Sequence, residues 1–345
     1  METKLQALKS KLADIVALSS AASVLGWDQN TYMPPAGAQV RGNQLAIISR
    51  IVHEWSTSDE FGQLLEDLQP YAAQLDADAD DARLIQATRR EHDIVKRLPT
   101  DFVVEQAQVT TQAFSAWAQA RAKADFSIFE PHLQKVVELN QRFAAYFPEK
   151  EHPYDALLDQ FEPGMKTDEV QAIFNDLRPQ QVELIQAISE QPQVDDSFLH
   201  QPFDEQKQWD FGVEVMTAFG YDWNRGRQDR SAHPFTTSFG SGDVRVTTRI
   251  MPDMAMSALM SSMHECGHAL YEQGFLESDR RTTLGESISL GVHESQSRMW
   301  ENVIGKSLPF WQHYAPALRE AFPHQLDAIS AEQMYRAINR VEPSL

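Results

Sequence analysis

The sequence has almost no cysteine. Cys266 is the single one among 345 residues, so no disulfide can form within the chain, and a reducing, cytoplasmic compartment is expected. Positive charge is also scarce. Thirty Lys and Arg face 50 Asp and Glu, for a formal net charge of −20, which argues against nucleic acid and anionic membrane surfaces as partners. Long apolar runs are missing as well. No stretch approaches the roughly 18 uninterrupted apolar residues of a membrane span. The opening Met1-Glu2-Thr3-Lys4-Leu5 lacks the basic-then-apolar run of a secretion signal. Internal repeats and low-complexity linkers are not found.

Apolar periodicity fills most of the chain. Leu5, Leu8, Leu12, Ile15 and Leu18 recur at three- and four-residue steps, the signature of a helix with one buried face. Similar patterns occupy roughly 38–66, 80–97, 101–123, 128–146, 168–189 and 204–219. Pro34-Pro35, Pro131, Pro153 and Pro163-Gly164 punctuate them. The acidic, Ala-rich stretch at Asp76–Asp81 reads as a solvated helix start with no function assigned. From Ala232 to Ile250 the pattern changes, and Val244, Val246, Thr248 and Ile250 alternate with polar neighbours as in a half-buried strand. Gly240-Ser241-Gly242 reads as the hairpin turn before it. The expected fold class is therefore mainly α, with a small antiparallel β-sheet ahead of one informative helix.

That helix is expected to start near Pro252-Asp253 and to stop at Gly274. It carries His264-Glu265-Cys266-Gly267-His268. At about 100° per residue, His264 and His268 lie roughly 40° apart on the helix surface, so both imidazoles can reach one ion. Zinc favours neutral imidazole nitrogen with a carboxylate as third ligand and a fourth position open to water. Glu265 projects beside the same face and is the candidate base for that water. The motif also occurs by chance. Here its setting among Ala258, Leu259, Met260, Met263, Ala269 and Leu270 supports a built site. Cys266 sits roughly 200° from His264 and reads as a small core residue rather than a ligand. Downstream carboxylates at Glu272, Glu277, Asp279, Glu286, Glu294 and Glu301 are candidates for the third ligand. Glu272 would reach past the ion. Glu286 and Glu294 are both expected on a second helix from Thr283–Gly285 past Trp300, and spacing does not separate them.

Four ordered segments resemble one known family: His233-Pro234-Phe235, Asp243-Val244-Arg245-Val246-Thr247, His264 to His268, and His293-Glu294-Ser295-Gln296. Gly26-Trp27-Asp28-Gln29, Met33-Pro34-Pro35, Tyr154-Asp155-Ala156-Leu157-Leu158 and Glu162-Pro163-Gly164 are similar too. Together they resemble the carboxypeptidase Taq family of zinc metallocarboxypeptidases over essentially the whole chain. The resemblance implies a large helical fold with an active-site groove, commonly a homodimer, with one zinc ion that cobalt or manganese can replace. It implies His264, His268 and Glu294 as the ligands and Glu265 as the catalytic carboxylate. It implies peptide substrates shortened from the C-terminus, with broad side-chain tolerance and poor use of proline, and it puts His233 and Arg245 along the substrate groove. Arg245 can hold a carboxylate with two parallel hydrogen bonds, or equally a sheet-to-helix salt bridge.

On this reading residues 1–345 form one catalytic domain, with 1–225 as helical groove wall and 226–345 as hairpin and zinc-site helices. The family pattern runs on past Val341-Glu342-Pro343-Ser344-Leu345, so the domain is expected to be incomplete at its C-terminus, with weakened turnover and uncovered apolar surface. Two competing expectations are a thimet-type oligopeptidase, which shares the zinc motif but cuts internally, and an inactive fragment that keeps the metal site.

Overall fold

A computed structural model describes residues 1–342 of the chain. It divides into two compact units. One comprises Met1–Gln160, Thr237–Asp243 and Gly274–Ser287; the other comprises Phe161–Thr236, Val244–Gln273 and Ile288 onward.

The first unit is built from helices α1 (Glu2–Thr31), α2 (Ala38–Ser56), α3 (Asp59–Ala72), α4 (Asp80–Val95), α5 (Thr100–Lys123), α6 (Glu130–Ala145) and α7 (Pro153–Leu158). The single apolar pattern at 38–66 is two helices in the structure. The side chain of Ser58 accepts from the N–H of Phe61 and starts α3 afresh, as an N-cap does when it satisfies an otherwise orphaned donor. The leucine stripe of α1 is buried, as its spacing predicts: Leu5, Leu8 and Leu12 pack on Phe61, Leu65, Leu68, Leu84 and Ile85. A second core gathers Phe102, Leu139, Phe143, Phe147 and Ala156.

The second unit begins with α8 (Thr167–Ser189) and α9 (Glu205–Phe219). Three short strands follow, β1 (Gln228–Arg230), β2 (Thr236–Ser238) and β3 (Val244–Thr248), and the chain leaves this unit within β2. Then come α10 (Ala255–Gln273), α11 (Leu290–Arg298) with a π-helical continuation over Met299–Ile304, α12 (Leu308–Ala321), α13 (Pro323–Leu326) and α14 (Ala331–Ile338). The expected hairpin is present. Phe239 N–H bonds the carbonyl of Asp243, and Thr247 N–H bonds that of Phe235, both at 2.9 Å.

The sheet is not purely antiparallel, however. Its order is β1-β3-β2, and β1 pairs parallel to β3 with Gln228 opposite Val246. This corrects the sequence expectation for a simple reason. The strand Gln228-Asp229-Arg230 has no β-branched or aromatic residue and is too short to display alternation.

α10 is the centre of the second unit. One flank buries Leu259 and Met263 with Phe211, Val215, Phe310 and Trp311. Another buries Cys266 and Ala269 with Val244 and Val246, the inward residues of β3. A helix locked on two flanks presents its remaining face in a fixed direction. That face carries His264, Glu265 and His268.

Candidate metal centre

His264 and His268 stand one turn apart on α10, ring centroids 5.0 Å apart and planes 78° apart. Glu294 reaches them from α11. Its Oε2 lies 3.6 Å from Nε2 of His264 and 3.2 Å from Nε2 of His268. One ligand atom from each residue falls within a 4.8 Å circle, and no other such group occurs among the described residues. Two donors about 2.1 Å from a shared tetrahedral ion sit about 3.4 Å apart. The separations of Glu294 Oε2 from the two imidazoles bracket that value, and this nitrogen–nitrogen–oxygen donor set suits a divalent metal.

Glu294 arrives there because α11 can approach α10 closely. A Cβ built on Gly267 would stand only 2.6 Å from the carbonyl oxygen of Gln296 and from the Cα of Ser297. The glycine inside the His-Glu-Cys-Gly-His run therefore admits the neighbouring backbone. The start of α11 is fixed as well. Ser289 caps it by accepting from Val292 N–H, and Glu162 of the Glu162-Pro163-Gly164 segment accepts from Gly291 N–H at 3.0 Å. Leu290 N–H bonds the carbonyl of Phe161 at 2.7 Å.

Further groups surround this trio. Nδ1 of His264 lies 2.8 Å from Glu301 Oε2. Arg298 contacts both carboxylates, with Nε 2.9 Å from Glu294 Oε1 and Nη1 3.3 Å from Glu301 Oε2. The ring of His293 stacks on His268 at 4.3 Å, and its Nε2 is 3.0 Å from Glu272 Oε1. Glu272 thus reaches past the trio, as its position one turn beyond His268 suggests. Glu265 is only 6% exposed. The hydroxyl of Thr236 donates to it, at 2.8 Å from both its carbonyl and its Oε2.

The electrostatics follow from burial and neighbours. Burial pushes the Glu265 carboxyl up to about 7, against the opposing pull of the Thr236 hydrogen bond and His264. Burial, then His293 and His264, pushes His268 down to about 4, which keeps its imidazole neutral and able to ligate. Burial also acts to lower His264, but the Glu301 hydrogen bond and the charges of Glu265, Glu301 and Glu294 outweigh it and hold this group above its ordinary value. Partial burial acts to raise Glu301, yet its bond to His264 and the nearby cations keep it below the usual carboxylate range. Burial pushes the Cys266 thiol up to about 12, consistent with an inert core residue.

The other anticipated residues are carried by other segments. Glu286 is not on α11. It follows a 3-10 turn at Thr283–Gly285, in extended chain of the first unit, because the expected long helix begins only at Leu290. Arg245 is half-buried on β3, between the fully buried Val244 and Val246. His233 is exposed in the β1–β2 connection. The two motifs holding these residues are tied together through Thr247. Its hydroxyl accepts from Phe235 N–H at 2.9 Å and lies 2.7 Å from Ser231 Oγ, whose hydroxyl donates to the carbonyl of His233. Sequence reasoning named Glu301 only as a possible ligand and missed the role of Thr236. The signal for Glu301 was available: Glu294, Arg298 and Glu301 follow the i, i+4, i+7 spacing of one helix face.

The chain is similar to known proteins along nearly all of its length. The sequence profile described as carboxypeptidase Taq (M32) metallopeptidase matches residues 7–345. Thermostable carboxypeptidase 1 of Thermus thermophilus is 38% identical over 338 residues, covering 95% of this chain and 66% of the relative. Carboxypeptidase 1 of Bacillus subtilis is 36% identical over 327 residues, covering 94% and 65%. The solved M32 carboxypeptidase of Deinococcus radiodurans R1 superposes with a TM-score of 0.88 at 37% identity, covering 99% of this chain and 68% of that one. The chain thus spans about two thirds of the length of the curated relatives it matches.

Proposed function

The chain belongs to the carboxypeptidase Taq (M32) metallopeptidases, and from that premise we propose that it removes residues one at a time from the C-terminus of peptides, with zinc as the working metal. The observation that carries this reading is the convergence of His264, His268 and Glu294 beside the buried carboxylate of Glu265. The three ligands would hold the ion through Nε2 of each imidazole and Oε2 of the glutamate. A zinc ion there supplies a Lewis acid and makes water nucleophilic near neutral pH.

The chain's own residues do the rest. Glu265 takes a proton from the attacking water and returns it to the departing amine, a task suited to a carboxyl whose pKa lies near the operating pH. Thr236 holds one oxygen of that carboxylate and fixes its orientation. His268, kept neutral, ligates without first losing a proton. Arg245 and His233 are assigned to the substrate: the arginine offers a carboxylate a forked pair of donors, and the histidine a single polar contact at the groove. Broad side-chain tolerance, one catalytic domain over residues 1–345, a cytoplasmic setting and a homodimer belong to the same proposal. Among the described residues, no helix is long and apolar enough to cross a membrane.

The test is mass spectrometry of an N-terminally blocked peptide after incubation with the zinc-loaded chain. Products shortened stepwise from the C-terminus support the carboxypeptidase. Internal cleavage would instead support a thimet-type oligopeptidase, which the family match and the relatives' names do not favour. Zinc bound one to one with no product would leave a metal-holding chain without turnover.

A further inference from the structure

Beyond the three putting their atoms toward a common point, two residues decide how those atoms are presented. A carboxylate can turn, and an imidazole can carry its proton on either nitrogen. Glu294 has its Oε1 engaged by Arg298 Nε at 2.9 Å, which leaves Oε2 facing both imidazoles. His264 has Nδ1 engaged by Glu301 Oε2 at 2.8 Å, which leaves Nε2 facing Glu294. Arg298 also reaches Glu301 Oε2 at 3.3 Å, so one guanidinium joins both carboxylates. Glu301 takes up this position from a π-helical turn, Met299–Ile304, that interrupts the regular spacing after α11. Such turns are frequent at functional sites. The side chain of Glu301 is only 16% exposed, whereas that of Arg298 is 54% exposed. A plain surface ion pair needs neither the burial of one member nor a shared contact with a ligand imidazole.

We propose that Glu301 and Arg298 form one outer relay of positioning residues that sets the metal affinity of the site. Glu301 fixes the proton of His264 on Nδ1 and the plane of its ring. Arg298 fixes the rotation of the Glu294 carboxylate and compensates part of the charge of two neighbouring acids. The inference rests on the reading that His264, His268 and Glu294 hold a metal ion.

The experiment measures zinc affinity of the full chain by competition with a chromophoric chelator. Glu301→Ala is expected to weaken binding 10–100-fold, about the loss seen when an outer partner of a metal-bound histidine is removed. Glu301→Gln, which keeps an acceptor but not the charge, should recover part of it. The visible absorption bands of the cobalt-loaded chain should shift in Glu301→Ala, a signature that a merely structural role would not move. Arg298→Gln, at an exposed position where folding is not at stake, should weaken zinc several-fold, and its loss should not add to that of Glu301→Ala in the double variant. Affinities within about threefold of the wild type in both Glu301→Ala and Arg298→Gln, or strictly additive losses, overturn the relay. A wild-type chain that binds no zinc overturns the metal reading and the relay with it; a wild-type chain that binds zinc while both variants match it overturns the relay alone.

Discussion

Glu265 and His268 show how burial acts on two side chains three residues apart with opposite results. Burial keeps the neutral form of each, so the carboxyl rises to about 7 and the imidazole falls to about 4. In the metal-free protein the raised Glu265 contributes stability that is complete below pH 4.5 and lost as pH rises through about 7. The lowered His268 contributes stability that is complete above pH 6.5 and lost as pH falls through about 4. The windows overlap with opposite proton counts, so the two contributions nearly cancel in between. Either variant alone should expose the other. In its own pH profile, metal-free Glu265→Gln should gain stability as pH rises from about 4 to 6.5, and metal-free His268→Gln should lose it between 4.5 and about 7. Each swing is worth on the order of 3 kcal/mol. Thermal unfolding across this pH range checks both; parallel profiles in all three proteins would show that neither group is displaced as described. For turnover, Glu265→Gln should keep stoichiometric zinc while losing about 10²–10⁴-fold in peptide shortening, which metal analysis and the product ladder test together.

At the scale of elements, the site depends on how closely α11 lies against α10. Gly267→Ala would bring a methyl group within 2.6 Å of the backbone at Gln296 and Ser297. Alanine is the better helix former by up to about 1 kcal/mol, but a forced backbone shift costs about 1–3 kcal/mol, and here the shift moves Glu294. The expected result is a lower unfolding temperature with weakened zinc binding, measured by calorimetry and metal titration. A variant more stable than the wild type with zinc binding unchanged would mean that the contact is slack. Element spans were largely legible in the sequence. The helix carrying His264 and His268 was expected from Pro252-Asp253 to Gly274, and it runs from Ala255 to Gln273. The misreadings share a cause: the break at Ser58 and the late start at Leu290 are set by capping hydrogen bonds, which apolar periodicity does not register.

At the scale of the whole molecule, apolar content and burial part company on α8. It has no buried residue, and Ile173, Phe174, Leu177, Val182, Leu184 and Ile185 are all exposed. An apolar stripe of this size on a monomer favours association. The chain is therefore expected to self-associate at micromolar concentration. Phe174→Glu with Ile185→Glu should shift it toward monomer without loss of zinc. Light scattering coupled to gel filtration decides; a wild-type chain that elutes as a monomer at all concentrations would count against the expectation.

The sequence by itself determined the kind of chemistry and the class of fold. Helical periodicity is local, and a four-residue spacing puts two imidazoles on one face of a helix wherever that helix sits, so His264, His268 and Glu265 could be read without coordinates. The carboxylate that joins the two imidazoles could not be derived from spacing. Glu286 and Glu294 are eight residues apart in the sequence, and only the cap at Ser289 and the contact at Gly267 decide that one enters the site while the other stays in the first unit. The parallel pairing of β1, the Thr236 bond to Glu265 and the Glu301 bond to His264 were likewise decided by tertiary structure. Each joins residues whose relation depends on where the backbone turns between them, and those turns are fixed by packing and capping rather than by the periodicity of any one segment.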